Sequence, residues 1–218
     1  MALGALVRRF LGARLGRRAG ERYRAIYVDL EKVALALAAV IPRDAHLLDV
    51  GGGDGQPINH LLRVRPDLTI TTLDPAPAVG QWIEPRYDMQ VKRLPRTSLA
   101  QFLASPNARA DAILIADVMH HIPESARREF LDSVRILLDR VPGLRIVVKD
   151  VEPGHWRSRL GFWSDRYVTG DRNVSLISSG GVTRLLEEVL GPLHREETDL
   201  FEEDAPNYAM VFHRQPNK

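Results

Sequence analysis

A chain of 218 residues is long enough to bury one good core and short for a second full domain. Its apolar fraction of 44% and charged fraction of 27% are ordinary for a globular protein, and no apolar run approaches the ~20 residues that a bilayer crossing needs. The absence of cysteine excludes disulfides, thiolate zinc ligands and covalent thiol attack on carbon 5 of a pyrimidine.

The net charge is only +2, but it is unevenly placed. Arg8, Arg9, Arg14, Arg17, Arg18, Arg22 and Arg24 face the single acid Glu21 near one end, whereas Glu196, Glu197, Asp199, Glu202, Glu203 and Asp204 cluster near the other. A basic, acid-poor start resembles an organellar transit peptide, yet lysine is scarce throughout, so the arginine bias belongs to the whole chain. Leu3, Leu6, Val7, Phe10, Leu11 and Leu15 predict an amphipathic basic helix over 2–18, weakened by Gly4, Gly12 and Gly16. Tyr23, Ile26, Tyr27, Leu30, Val33 and Leu37 predict a second helix from about 21 to 40, stopping before Pro42. Residues 1–40 thus read as a helical arm or lid, ahead of a main domain over 41–218.

From there short apolar runs alternate with helical stretches. Strands are expected at His46–Val50, Leu68–Leu73, Met89–Val91, Ala112–Ala116, Leu144–Val148, Glu196–Leu200 and Tyr208–Phe212. Helices are expected near 56–64, 97–104, 124–140 and 179–190. Such alternation predicts an α/β fold, a doubly wound and mostly parallel seven-stranded sheet with an N-terminal helical extension. Residues 151–178, broken by Pro153, Gly154, Gly161 and Gly170, are too long for an ordinary connection and read as an insertion that covers the substrate.

His46-Leu47-Leu48-Asp49-Val50 runs into Gly51-Gly52-Gly53-Asp54-Gly55, a buried strand entering a glycine-rich turn. Such a turn lets backbone approach a ligand closely. Asp49 and Asp54 would repel a phosphate, so the loop suits a ligand bearing an ammonium and a sulfonium; the bland alternative is a tight strand-to-helix connection. Asp74, at the tip of the second strand, can accept hydrogen bonds from both hydroxyls of a ribose. Its alternative is a helix N-cap with Pro75 at the first helical position, against which Pro77 argues.

Asp49 to Gly55, then Asp74, then Asp111-Ala112-Ile113-Leu114-Ile115-Ala116-Asp117-Val118-Met119-His120-His121 closely resemble the class I (Rossmann-like) S-adenosylmethionine-dependent methyltransferase family. The resemblance covers roughly 44–150 well and the C-terminal strands loosely. It implies S-adenosylmethionine as cofactor, with Gly51 and Gly53 at its methionine part, Asp74 at the ribose and Asp117 facing the transferred methyl, and with Asp49, Gly52, Pro75 and Val118 also binding the cofactor. It also implies a sheet ending in an antiparallel hairpin. An acid or amide usually follows the family's third strand to meet the adenine amine; this sequence has Lys92-Arg93-Leu94.

His121 and His120 lie beyond the fourth strand, where one imidazole could take a proton from an acceptor; capping or packing is the alternative reading. Asp165, inside the insertion, is the third catalytic candidate. Asp117, Asp150 and Asp165 could converge on magnesium, but Val151 stands where catechol-type enzymes have asparagine, so no metal is expected and an arginine is the expected partner of Asp150. The leading function is methyl transfer to a small-molecule or lipid-like acceptor. An RNA methyltransferase gripping phosphates with the basic arm, and a non-catalytic binding subunit, are the alternatives. Nucleic acid is disfavoured because the arm is apolar along one side. A cytoplasmic protein is expected, with peripheral membrane contact through the basic helix as an option.

Overall fold

The computed structural model describes residues 30–153, 175–196 and 207–214. The helix expected over 2–18, the start of the second helix, most of the insertion including Asp165, and residues 197–200 lie outside them. Helix α1 (Leu30–Val40) leads into β1 (His46–Val50), α2 (Gln56–Val64), β2 (Thr69–Asp74) and β3 (Val91–Pro95). There follow α3 (Leu99–Leu103), β4 (Ala112–Ala116), α4 (Glu124–Arg140), β5 (Arg145–Val151), α5 (Ser179–Leu190), β6 (Leu193–Arg195) and β7 (Asn207–Arg214). The sheet order is β3-β2-β1-β4-β5-β7-β6. The first five strands are parallel, and β7 runs antiparallel to both β5 and β6. This is the doubly wound sheet that the alternating pattern predicts, with the terminal hairpin that the family resemblance implies.

Strand alternation splits the core into two layers. Leu48, Ile113, Ile115, Ile146 and Val148 pack with Leu131, Val134 and Leu138 of α4 and with Val182 and Leu186 of α5. Leu47, Ala112, Leu114 and Val147 face the other way, onto Val33 and Leu37 of α1 and Ile58, Leu61 and Leu62 of α2. Both faces of the central strands are covered, which is why they read as unbroken apolar runs. Among the described residues no helix is long and apolar enough to cross a membrane.

One strand falls elsewhere than expected. The third begins where Met89–Val91 ends, at Val91, and runs to Pro95, because Met89 is 97% exposed in the turn that follows a single 3₁₀ turn at Pro85–Tyr87. Lys92 and Arg93 are tolerated within it because β3 is an edge strand, where charge and proline deter pairing with other chains. At the other edge β6 is Leu193–Arg195, because α5 ends at Gly191 and Leu193 enters the edge directly; of the expected Glu196–Leu200, residues 197–200 lie outside the described residues. Glu196 still donates its N–H to Val211 O, and its carboxylate pairs with Arg145.

Arg65 ties α1 to the sheet. Its guanidinium donates to Ala38 O and Ile41 O at 2.8 Å and to Pro42 O at 2.6 Å, satisfying carbonyls that the end of α1 leaves open. Asp67 accepts from both Nε and Nη2 and so aims the fork. That pairing holds the Asp67 carboxyl well below the ordinary carboxylate range. Arg65→Met is expected to cost about 2 kcal/mol, through several carbonyls left without a donor; urea unfolding would measure it, and an unchanged midpoint would refute the clasp.

Candidate active site

The C-terminal ends of β1, β2, β4 and β5 come level at one edge because the parallel register pairs Val50 with both Leu73 and Ile115, and Ala116 with Lys149. Ligands of open α/β sheets bind at this edge, where the chain leaves each strand in a turn. The turn after β1 lies across the end of β2: Gly51 and Gly52 N–H both donate to Leu73 O. A Cβ on Gly52 would sit 1.8 Å from Thr72 Oγ1 and 2.5 Å from Asp49 Oδ2, so only glycine fits there. Gly53 differs. It has φ +52°, and a Cβ on it would meet nothing nearer than Gly51 O at 3.9 Å. Gly52 is therefore required by the protein, whereas Gly53 keeps the outer side of the turn bare.

Asp49 is buried, and the Thr72 hydroxyl donates to its Oδ2 at 2.7 Å. Burial pushes its carboxyl up to about 6, the Thr72 hydrogen bond pulls it down, and the charge of Asp74 raises it further. Asp74 caps no helix, since the chain beyond it stays irregular until Pro85. Its Oδ1 accepts from Ala76 N at 2.8 Å and its Oδ2 from Gly53 N at 3.2 Å. Pro75 beside it is exposed. The segment beyond docks onto the glycine turn through Gly80 N to Gly53 O and Trp82 N to Asp54 O, both 2.8 Å. Asn59 of α2 holds the same segment from below, donating to Trp82 O and accepting from Glu84 N. Sequence reasoning missed Asn59, which looked like an ordinary polar residue on a helix.

The longer β3 also moves the loop that follows it. Lys92, Arg93 and Leu94 are inside the strand, and the residues beyond its end are Arg96, Thr97 and Ser98. Thr97 N donates to Asp74 O and Arg96 N to Ala76 O, so this loop borders Asp74.

Beyond β4, Asp117 takes a left-handed φ of +57°. Its two carboxylate oxygens accept from Lys149 Nζ at 2.6 and 2.7 Å. Val118 packs over Gly51. A 3₁₀ turn then carries Met119–His121. His120 is buried, its Nδ1 is 2.5 Å from Asp150 Oδ1, and its backbone N–H donates to Asp150 Oδ2 at 3.2 Å. The partner of Asp150 is thus histidine and not the expected arginine. Successive residues of β5 point to opposite faces, so Lys149 and Asp150 serve different partners. His121 is exposed, its ring 4.0 Å from that of His120 between centroids.

Asp117, His120 and Asp150 have ligand atoms within 4.8 Å of one another. Lys149 already engages both oxygens of Asp117 and Asp150 engages Nδ1 of His120, so the chain supplies the balancing groups itself. Past the insertion the chain is stapled back onto the site. Ser175 N donates to His120 O, Arg127 donates to Ile122 O and to Ser175 O, the Tyr208 hydroxyl donates to Ile177 O, and Ser179 N donates to Glu152. Burial, with Asp150 and Glu152 nearby, pushes the Tyr208 hydroxyl above its ordinary range. Arg127 gave no signal in the sequence, where it is one of many arginines on a surface helix.

Because the folded state favours protonated Asp49, the wild-type chain loses stability as pH rises from the ordinary carboxylate value of 3.8 through about 6. Asp49→Asn removes that loss. The variant is expected to gain on the wild type by about 2 kcal/mol between pH 4 and pH 8. Unfolding curves at the two pH values check it, and a difference independent of pH would refute the burial argument.

A family described as "Methyltransferase domain" matches residues 20–189 of the chain. No curated protein sequence matches it. Among solved structures, human N-acetylserotonin methyltransferase in complex with SAM is 19% identical, with 86% of this chain and 52% of that one covered at a TM-score of 0.61. A TehB-like SAM-dependent methyltransferase from Corynebacterium glutamicum is 20% identical, with 94% and 100% covered at 0.61. The 1,6-didemethyltoxoflavin-N1-methyltransferase of Burkholderia thailandensis, with bound 1,6-didemethyltoxoflavin and S-adenosylhomocysteine, is 16% identical, with 89% and 81% covered at 0.62. The chain spans little more than half the length of the first structures matched, 56% of an O-methyltransferase family protein from Burkholderia thailandensis and 58% of a mitomycin 7-O-methyltransferase.

Proposed function

The chain belongs to the methyltransferase-domain family, and from that premise we propose that it transfers a methyl group from S-adenosylmethionine to a small-molecule acceptor. The observation that carries this reading is the bare outer side of Gly53 beside the Asp74 carboxylate, on an edge lined by carboxylates. Such a cradle fits a ligand with an ammonium, a ribose and a sulfonium, and it disfavours a pyrophosphate. Gly51, Gly52 and Gly53, with Asp49 behind them, would hold the methionine part. Asp74 and Pro75 would hold the ribose, and Asp117 and Val118 would face the methyl.

S-adenosylmethionine supplies an electrophilic methyl on sulfur that an acceptor lone pair displaces in line. The chain's contribution is chiefly alignment and exclusion of water. The stapling of 175–178 onto the His120 loop serves both. His121, exposed next to the anchored His120, is the residue we assign to take the acceptor proton; His120 and Asp150 hold that turn in place. The mitomycin 7-O-methyltransferase and the 1,6-didemethyltoxoflavin-N1-methyltransferase among the structural neighbours are named for small-molecule acceptors, which supports an acceptor of that size. Residues 1–40 are proposed as a helical arm or lid, and Asp165 as part of the cover over the acceptor.

Calorimetric titration with S-adenosylmethionine tests the cofactor. Asp74→Ala is expected to weaken binding at least roughly tenfold, with Asp74→Asn between it and the wild type, because ribose acceptors are lost. Gly53→Val is expected to block binding while circular dichroism shows the fold retained; normal binding by either variant would move the cofactor elsewhere. With an acceptor found by screening, His121→Ala is expected to lower turnover by two to four orders of magnitude, roughly, and to flatten its dependence on pH near neutrality. His120→Ala is expected to act on stability first, costing about 3 kcal/mol by leaving Asp150 buried without its partner. A wild-type rate for His121→Ala would leave alignment as the whole mechanism.

A further inference from the structure

At the methyl-facing end of the sheet a buried cation is bound to a half-exposed anion. The Lys149 side chain is 3% exposed and that of Asp117 is 47% exposed. Lys149 Nζ lies 2.6 and 2.7 Å from the two Asp117 oxygens, and Asp117 N donates to Lys149 O at 2.8 Å. Asp117 meets this clasp in a left-handed conformation, φ +57°, that a residue with a side chain seldom adopts. Stability alone does not call for such a pair. Lys149 sits between Val148 and Asp150 in a buried strand, and an apolar side chain of similar length would fill the same space without desolvating an ammonium. What the lysine supplies that methionine would not is a charge.

Asp150 is taken by the His120 ring, and the two carboxylates nearest the glycine turn are committed to neutral donors: Asp49 to the Thr72 hydroxyl, Asp74 to the backbone of Gly53 and Ala76. Neither has a cation beside it among the hydrogen bonds described. Asp117 does, and it stands where the methyl is to be transferred.

We propose that Lys149 is a positioning residue that neutralises Asp117, and that this limits the site's preference for S-adenosylmethionine over S-adenosylhomocysteine. The proposal rests on the reading above that Asp117 faces the sulfonium. The two ligands differ by one methyl group and one positive charge. A bare carboxylate at that place would hold the charged reactant more tightly than the neutral product. It would also slow transfer, because the acceptor's lone pair bonds to the methyl carbon while the carbon–sulfur pair stays on sulfur, and the positive charge there fades on the way to the transition state. An interaction stronger in the ground state than in the transition state raises the barrier. With Lys149 in place the pair is neutral overall, while Asp117 keeps its oxygens and its geometry.

Both ligands are titrated calorimetrically, without acceptor, into the wild type, Lys149→Met, Asp117→Asn and the double variant. The quantity read is the dissociation constant of S-adenosylhomocysteine divided by that of S-adenosylmethionine. Lys149→Met is expected to raise this ratio roughly tenfold, as one unscreened charge at a partly exposed site would. Asp117→Asn, which strands the ammonium, is expected to lower it, and the double variant is expected to return it to about the wild-type value. If Asp117→Asn does not fold with its buried cation unpaired, Lys149→Met and the double variant decide between them. A structural role for Lys149 would weaken both ligands by one factor, and an unmoved ratio in Lys149→Met overturns the proposal while leaving the cofactor reading intact. Failure of both ligands to bind the wild type would overturn the cofactor reading and this proposal with it.

Discussion

The parallel pairing of β1 with β2 on one side and β4 on the other is the constraint on which the rest of the site depends. It brings Val50 level with Leu73 and Ile115, so the turn leaving β1 can donate two backbone N–H groups to the Leu73 carbonyl near the end of β2. A slip of one residue would exchange the faces of each strand and send Leu48 and Val50 into the layer that belongs to Leu47. Register therefore sets the two cores and the level edge at once.

At that edge the charges are arranged one by one. Asp49 is buried against a hydroxyl, Asp74 is shared between two backbone N–H groups, Asp117 faces an ammonium and Asp150 an imidazole. A buried or half-buried carboxylate without a partner would cost several kcal/mol, so each has been given one. The surplus of acid over base that remains favours a cationic ligand and repels phosphate.

The elements that close around the edge are held by side chains remote in sequence. Asn59 fixes the segment after Asp74, and Arg127 and Tyr208 fix the segment after the insertion. Each spends its hydrogen bonds on backbone carbonyls of irregular chain, which would otherwise be unsatisfied where the strands can no longer pair with them. Loops tethered in this way can hold an acceptor against a fixed methyl donor, which is most of what in-line transfer asks of a protein.

The local pattern alone determined the α/β class, the two-faced burial of the central strands and the glycine turn with its acids, while the terminal antiparallel hairpin followed from the family resemblance. The first three depend on periodicity and on residue types within a few positions of one another. The pattern misplaced β3 and gave no sign of β6 at Leu193–Arg195, the two edge strands, because an edge strand is covered on fewer sides and its residues need not be apolar: Lys92, Arg93 and His194 all lie in strands. It also could not assign Asp150. Whether a carboxylate at a strand end meets an arginine, a histidine or a lysine is settled by which face of the sheet it leaves from and which turn lies over that face. Lys149 and Asp150 are neighbours in the chain, yet one reaches Asp117 and the other His120. That division follows from strand alternation in three dimensions, where the partners lie about thirty residues away in sequence.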